Sequence, residues 1–284
     1  MTATPLRARV CGIGLIAPGI ADWQTGARIL AGRQAWQPAP LAIPATEFLP
    51  PAERRRAGKA IRLALGCGHQ AILNSGYAAN GVASVFASTD VDAENTHQIC
   101  VALTGEEPSL SPTRFHNSVQ NAVSGYWTIL TGSRAPTTMV MGGDEILAIG
   151  LLEAMTQAVQ AMHPVLLVVF DVPMPAPLFA THPIEEGGAI ALVLDARAGA
   201  GVAMKVTLQK GPAEGPAHGD ADAAADTDAA AGNRELDALL RVHPVGAALP
   251  ILAMLARSDA GANRGGQARL DLDRYHALRV VIEA

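Results

Sequence analysis

Gly142-Gly143-Asp144 is the part of the sequence where chemistry is easiest to place. It separates an apolar run at 137–141, which favours a strand, from residues 145–162, which are apolar nearly all round and favour a buried helix. Two glycines permit the backbone angles of a tight elbow between such elements. A carboxylate there could act as an acid or a base. Aspartate is also a favoured helix N-cap, worth about 1 kcal/mol, and the cap is our prediction for Asp144.

A second group of potential ligands lies at Asp90, Asp92, Glu94 and His97. Alternating acidic residues are typical of calcium-binding loops, in which carboxylate oxygens surround the ion. The glycine and the terminal glutamate that such a loop requires are out of place here. The sequence therefore predicts no metal site, and we expect no other cofactor.

The elements that would position these residues alternate along the chain. Apolar runs of strand length lie at 10–16, 82–88, 137–141, 165–170, 189–194, 202–208 and 277–283. Segments of helical character lie at 23–32, 53–74, 97–103, 145–162, 235–240 and 246–256. Strands that alternate with helices predict an α/β layered fold.

Residues 211–233 differ in composition from the rest of the chain. They are acidic, rich in alanine and glycine and without a large apolar side chain, which is typical of a disordered linker. We therefore divide the chain into a domain at 1–210, the linker at 211–233, and a C-terminal segment at 234–284 that packs on the same domain.

Charge and cysteine content exclude several classes of protein. The net charge of −5, without a large basic block, argues against a nucleic-acid partner. No apolar run approaches the length of a membrane span. Cys11, Cys67 and Cys100 are far apart and odd in number, which suits reduced thiols and predicts a cytoplasmic location.

The segment 111–154 resembles the core of a β-ketoacyl synthase of the thiolase superfamily. The matching residues are Phe115, Asn117, Asn121, Gly125, Ala135-Pro136 and the strand and elbow at 137–143. In register with the family, the position of the nucleophilic cysteine falls on Asp144. The resemblance implies a thiolase-like layered fold with one ketosynthase-like N-terminal unit and a truncated C-terminal part.

The loss of the cysteine argues against the condensation that this family catalyses. A carboxylate is a weak nucleophile toward a thioester, and its acyl product would be a labile anhydride. The family's H-G-T motif is absent. His243 lies in a run that resembles the family's G-H-x-x-G-A-A motif, so it is a candidate remnant of a catalytic histidine. A structural or solvent-facing histidine is the default interpretation.

Within the family, the chain is most similar to short, cysteine-less proteins described as chain-length factors of aryl polyene and xanthomonadin pigment biosynthesis. The residues that carry this resemblance are 86–97, 111–127 and the elbow. It implies a catalytically inert subunit that forms a heterodimer with an active β-ketoacyl synthase and limits the length of the acyl chain. The residues that it assigns to the tunnel or interface are Phe115, Asn117, Asn121, Tyr126 and Trp127. Core packing is the alternative for the aromatic ones.

Two other functions remain open. The chain could be a decarboxylase or hydrolase of carrier-bound acyl groups that uses Asp144 with His97 or His243. It could also be a binding module for acyl carrier protein without a ketosynthase partner. The basic residues that would dock an acidic carrier protein are Arg54, Arg55, Arg56, Lys59 and Arg62. A solvated surface is the common alternative for such a run.

Overall fold

One mixed sheet organises the chain. The computed structural model describes residues 4–45, 47, 49–106, 108–197, 199–210, 229–259 and 265–283. The strands are β1 (Leu6–Ile16), β2 (Ala83–Ser88), β3 (Thr137–Met141), β4 (Val165–Asp171), β5 (Gly188–Asp195), β6 (Val202–Lys210), β7 (Gly266–Asp273) and β8 (His276–Ile282). Their order across the sheet is β3-β2-β4-β5-β1-β6-β8-β7. Strands β3, β2 and β4 are parallel, and every pairing from β4 to β7 is antiparallel.

Helices cover both faces of this sheet, which confirms the predicted α/β layered fold. They are α1 (Trp23–Leu30), α2 (Pro51–Arg56), α3 (Lys59–Ser75), α4 (Ala93–Leu103), α5 (Pro112–Ser118), α6 (Ala122–Thr131), α7 (Ile146–Ala161), α8 (Ala176–Phe179), α9 (Ala229–Leu239) and α10 (Pro244–Asp259). Helices α3 and α6 pack on one face, and α7 and α10 pack on the other. None of the helices in the described residues is both long and apolar enough to cross a membrane.

Strand β4 shows how the sequence builds two cores. All seven of its residues are buried. Val165, Leu167 and Val169 join the core beneath α7 and α10, and the residues between them join the core beneath α3. Successive side chains of a strand point to opposite faces, so a continuous apolar run is what a strand covered on both sides requires. Each fully buried valine or leucine side chain contributes about 1.5–3 kcal/mol to folding.

The C-terminal segment continues the same sheet. Strand β8 pairs with β6, and β7 pairs with β8 at the far edge. Helix α10 packs against β4, β5, β7 and the neighbouring helices α1 and α7. Residues 211–228 of the predicted linker lie outside the described residues, whereas its last five residues, 229–233, belong to α9. This part of the linker prediction is wrong, because Ala229–Ala231 are strong helix formers.

The long helix predicted at 53–74 is two helices. Helix α2 ends because Ala57 has an extended backbone (ψ 116°), and α3 begins after Gly58. Glycine is a poor helix former, and Asn117 Nδ2 donates a hydrogen bond of 2.7 Å to the carbonyl oxygen of Arg56. That bond satisfies one of the carbonyl groups that a helix end leaves without a partner. The basic residues therefore lie on two helices and not on one continuous face.

Helix α4 begins four residues earlier than the predicted segment 97–103. Asp92 is its N-cap, and its Oδ1 accepts a hydrogen bond of 3.1 Å from the backbone N–H of Asn95. The carboxylate that first suggested a metal ligand thus stabilises a helix start.

Candidate functional site

A cavity of about 190 Å³ opens where the parallel strands β2, β3 and β4 end. Its lining residues are Thr89, Asp90, Gly142, Gly143, Met174, Leu178, Thr181 and His182. The carboxyl ends of neighbouring parallel strands meet at one edge of a sheet, and the crevice there is the usual ligand site of α/β folds. None of the residues that line this cavity is a cysteine.

Asp144 follows the elbow but does not cap helix α7. The N-cap is Glu145, which makes no side-chain capping bond, and the helix begins at Ile146. The backbone N–H of Ile146 donates instead to the carbonyl oxygen of Gly143, at 3.0 Å. The predicted cap is therefore wrong. The carboxylate of Asp144 is 78% exposed and its Oδ1 lies 3.6 Å from His182 Nδ1.

His182 is a cavity residue that the sequence analysis missed. Its side chain is 21% exposed, and its Nε2 is buried without a hydrogen-bond partner in the part of the chain that the structure describes. The turn after α8 holds the residue in place, since the backbone N–H of His182 donates to the carbonyl oxygen of Leu178, at 3.1 Å. No motif joins His182 to Asp144, because α7, β4 and α8 separate them in sequence.

Asp171, at the end of β4, forms a buried network beneath the cavity. The residue is 1% exposed, and its Oδ1 accepts hydrogen bonds from Ser88 Oγ (2.6 Å) and from the backbone N–H of Thr89 (2.9 Å). Burial raises the pKa of this carboxyl to about 6, because a low-dielectric interior disfavours its charged form. The predicted strand ended one residue earlier, so the sequence analysis also missed Asp171.

His243 lies in the core behind this network. The ring is 3% exposed, its Nδ1 accepts a hydrogen bond from the backbone N–H of Val245 (3.0 Å), and its Nε2 lies 3.3 Å from the backbone oxygen of Asp171. Burial lowers the pKa of this imidazole to about 4, so the ring is neutral near pH 7. Both nitrogens are occupied, and His243 cannot also pair with Asp144.

The predicted tunnel and interface residues divide into two groups. Asn117, Tyr126 and Trp127 are buried, whereas Phe115 is 59% exposed and Asn121 is exposed. Tyr126 donates its hydroxyl hydrogen to Asn117 Oδ1 at 3.2 Å. The Trp127 ring meets the Phe86 ring edge-on, with centroids 6.0 Å apart. The buried three hold the chain's own core together, and only the exposed pair can contact another molecule in this conformation.

The acidic side chains after β2 have separate roles in the fold. No set of three or more His, Cys, Asp or Glu side chains within the described ranges could hold a metal ion. Asp92 caps α4, and Glu94 accepts a hydrogen bond from Gln98 Nε2 (2.9 Å). Asp90 faces the cavity, and burial raises its pKa.

The basic residues lie near the same end of the sheet. Arg54, Arg55, Arg56 and Lys59 are exposed, and Arg62 is half-buried. Arg56 pairs with Glu53 at 3.6 Å, whereas Arg54, Arg55 and Lys59 form no ion pair with any residue that the structure describes. A side chain added at Gly58 would meet Asp92 Oδ2 at 3.0 Å, so this segment lies against the loop that borders the cavity.

A larger concavity of about 410 Å³ lies on the open face of β6, β7 and β8. Its charged side chains bind each other or their neighbours. Arg279 donates two hydrogen bonds to Gln267, and Arg269 pairs with Asp271 at 2.8 Å. We therefore assign the candidate site to the smaller cavity, where buried polar atoms have no such partners.

Comparison with solved structures shows the same fold in ketosynthase complexes. A chain of the ketosynthase ApeO–chain length factor ApeC complex from Xenorhabdus doucetiae matches with a TM-score of 0.67 and 24% identity, covering 96% of this chain and 99% of that one. The ishigamide ketosynthase/chain length factor matches with a TM-score of 0.68 and 17% identity, over 99% and 100% of the two chains. These identities show a shared fold, which is the thiolase-like ketosynthase fold expected from the sequence.

Some ketosynthase chains with this fold are longer than the present one. The ketosynthase from module 1 of the bacillaene synthase of Bacillus amyloliquefaciens FZB42 matches with a TM-score of 0.55 and 14% identity, over 74% of this chain but only 47% of its own length. No curated protein matched the sequence. The family model for the β-ketoacyl synthase N-terminal domain matches residues 23–245, which is more than half of the chain. The chain therefore belongs to the β-ketoacyl synthase N-terminal domain family.

Proposed function

We propose that the chain is a ketosynthase-like subunit of the chain-length-factor type, which does not itself catalyse condensation and which pairs with an active β-ketoacyl synthase. The observation that carries this proposal is the elbow: the nucleophile position holds Asp144, and no cysteine lines the adjacent cavity. Of the three cysteines, Cys67 is buried, and burial raises its pKa well above the usual value. A buried, protonated thiol is not a nucleophile.

An exposed apolar surface supports pairing with a second protein chain. Twelve large apolar side chains are exposed among the described residues, and half of them lie on or between α4, α5 and α6: Val101, Leu103, Leu110, Phe115, Val119 and Ile129. We call these six residues, together with strand β3, the partner surface. Clusters of exposed apolar side chains on a soluble protein are typical of protein–protein interfaces.

Strand β3 is the edge of the sheet beside this cluster. It pairs only with β2 among the described strands, and Thr138–Met141 are half-buried. A strand edge presents unpaired N–H and C=O groups, which a second chain can complete. Two of the similar solved structures contain a ketosynthase together with a chain length factor, which supports such a partner.

The partner surface also suggests how the chain would control the length of the acyl product. Phe115 and Val119 lie on or beside α5, exposed by 59% and 43%. In a complex through the partner surface, they would contact the partner and could close the far end of its acyl tunnel. We therefore extend the proposal to acyl chain elongation of the polyene or fatty-acid type, carried out in the cytoplasm.

An acyl carrier protein is the second proposed partner. Arg54, Arg55 and Lys59 are exposed cations without an ion pair in the described structure, and Gly58, between Arg55 and Lys59, lies against the Asp92 carboxylate. Carrier proteins are acidic, so this basic segment would attract them by charge. The contact should weaken as the salt concentration rises, because exposed charges are screened.

Co-expression with the β-ketoacyl synthase of the same genome tests the pairing. We expect a stable one-to-one complex, and Ile129→Glu in the partner surface should weaken it by about tenfold or more, because it buries a charge against apolar groups. Leu73→Glu is the matched control, since Leu73 is 66% exposed on α3 and outside the partner surface. Absence of a complex with the wild-type chain would refute the proposal and would favour a carrier-binding module.

A further inference from the structure

One face of strands β6, β8 and β7 lies open in the part of the chain that the structure describes. On the other face of these strands, Met204, Leu270 and Val280 belong to the core beneath α10. Successive side chains of a strand point to opposite faces, so the residues that alternate with these three point away from the core. The open face forms the concavity of about 410 Å³, to which Gln209 and Gln267 contribute.

Two arginines lie directly opposite each other on this face. Arg269 of β7 pairs in register with Arg279 of β8, and both line the concavity. Opposite side chains of an antiparallel pair have Cβ atoms about 5 Å apart, and like charges at such positions repel each other. Asp271 forms an ion pair with Arg269 at 2.8 Å. Among the described residues, Arg279 forms no ion pair and donates hydrogen bonds to the neutral side chain of Gln267.

A second pair of cations extends the same face. Arg7 of β1 lies opposite Lys205 of β6, and both alternate with residues of the core beneath α10. Glu283 lies 2.6 Å from Arg7 and 3.7 Å from Lys205, so one carboxylate serves two cations. We call the four cations of these two pairs the basic face: Arg7, Lys205, Arg269 and Arg279. Glu283 and Asp271 offset half of its charge.

An acidic segment of the chain is attached at the border of this face. Residues 211–228 begin directly after Lys210, the last residue of β6, and the neighbouring Gln209 lines the concavity. The segment contains no lysine or arginine and five carboxyl groups: Glu214, Asp220, Asp222, Asp226 and Asp228. These five negative charges equal the net charge of the whole chain, −5. The remainder of the chain is therefore neutral on balance.

We propose that the acidic segment 211–228 binds the basic face of its own chain. Two strand spacings, about 10 Å, separate β6 from β7, whereas 18 residues extend to about 60 Å. The segment can therefore reach all four cations. A carboxylate can accept two hydrogen bonds from one guanidinium group, and an anion above Arg269 and Arg279 relieves their mutual repulsion. Covalent attachment keeps the local concentration of the segment at about the millimolar level, so weak contacts suffice.

The basic residues of α2 and α3 are the competing site for this segment. The basic face is favoured because its concavity begins beside the residue from which the segment starts. A bound segment would also shield this face from other acidic proteins. The inference goes beyond the proposed function and does not depend on it.

Carbodiimide cross-linking of the purified full-length chain tests the contact, since this reagent joins an amine to a carboxylate that touches it. The chain has three lysines, Lys59, Lys205 and Lys210, and Lys210 is uninformative because it adjoins the segment. We expect mass spectrometry to find Lys205 joined to aspartates of the segment at about 20 mM salt. These links should disappear at about 1 M salt, where charges are screened within about 3 Å. The link between Lys205 and Glu283 shows that the reagent reaches this lysine.

Cleavage by an aspartate-specific endoprotease provides a second measurement that does not depend on Lys205. At low salt, the segment should be cleaved about fivefold faster in Arg269→Gln/Arg279→Gln than in wild type, because this variant lacks two cations that hold the segment. Arg54→Gln/Arg55→Gln is the matched control and should be cleaved at the wild-type rate. The proposal is overturned by equal cleavage rates in wild type and Arg269→Gln/Arg279→Gln. It is also overturned if the segment is joined to Lys59 in place of Lys205.

Discussion

Acidification should remove the contribution of neutral His243 to stability, and the structure sets the size of this effect. The imidazole is buried and neutral, and its pKa in the folded chain is about 4, compared with 6.5 when it is exposed. As pH falls, the unfolded chain takes up this proton before the folded chain does, so stability is lost between these two values. At about 1.36 kcal/mol for each pKa unit, the full effect is about 3 kcal/mol.

About 2 kcal/mol of this loss falls between pH 7 and pH 5. His243→Asn should remove the pH dependence, because the asparagine amide does not titrate and its oxygen can still accept from the backbone N–H of Val245. The substitution also changes packing, but that cost is nearly the same at both pH values and cancels in the difference. Urea unfolding at pH 7 and pH 5 measures the free energy of unfolding of each variant.

His116→Asn is the matched control for this experiment, because His116 is exposed and its removal should not change the pH dependence. The reasoning is refuted if wild type and His243→Asn lose the same stability between pH 7 and pH 5. That outcome would mean that the buried ring is not held neutral by its surroundings.

Three further substitutions test separate parts of the structure. Asp171→Asn should remove an opposite pH dependence, since the raised pKa of about 6 means that wild type loses stability as pH rises through that value. The full effect is about 3 kcal/mol, and about 1.4 kcal/mol of it falls between pH 5 and pH 8. Urea unfolding at these two pH values measures it, and an equal change in the free energy of unfolding of wild type and Asp171→Asn would contradict it. Gly150→Ala in α7 should cost about 1–3 kcal/mol because its new Cβ would lie 2.8 Å from a buried side chain of β2, whereas Gly125→Ala in α6, with open space around it, should stabilise by up to about 1 kcal/mol. Equal melting temperatures for Gly150→Ala and Gly125→Ala would refute the close packing of α7 on β2. Asn117→Ala should destabilise by about 1–3 kcal/mol by leaving a carbonyl and a hydroxyl without their partner, while exposed Asn121→Ala should be near neutral; similar urea midpoints for both would count against it.

The sequence predicted those elements whose composition alone determines them. Strand β4 and helix α7 were recognisable because an unbroken apolar run and a helix apolar on all sides each suit burial on both faces. The break between α2 and α3 could not be recognised from the local sequence. The last turn of α2 is stabilised by Asn117, 61 residues away, whose amide donates a hydrogen bond to the Arg56 carbonyl oxygen. Strand β7 was missed as well, because its buried Ala268 and Leu270 are a short apolar pattern that depends on α10 for its cover.

The candidate site was predictable only in part. The elbow at Gly142-Gly143 follows from local sequence, and so does the loss of the cysteine. His182 and Asp171 could not be assigned to the site from local sequence. They lie on later elements of the chain, and only the folded sheet brings them next to the elbow. Local propensity also misled the assignment of Asp144, because the backbone N–H of Ile146 donates to the carbonyl oxygen of Gly143 and the helix begins only at Ile146.

The central claim is that the elbow of this chain carries no acyl group and that the partner's cysteine does. The most direct test loads the heterodimer with an acyl thioester and records the intact mass of each subunit. We expect one acyl group on the β-ketoacyl synthase and an unchanged mass for this chain. An acyl adduct on this chain, at Asp144 or elsewhere, would contradict it.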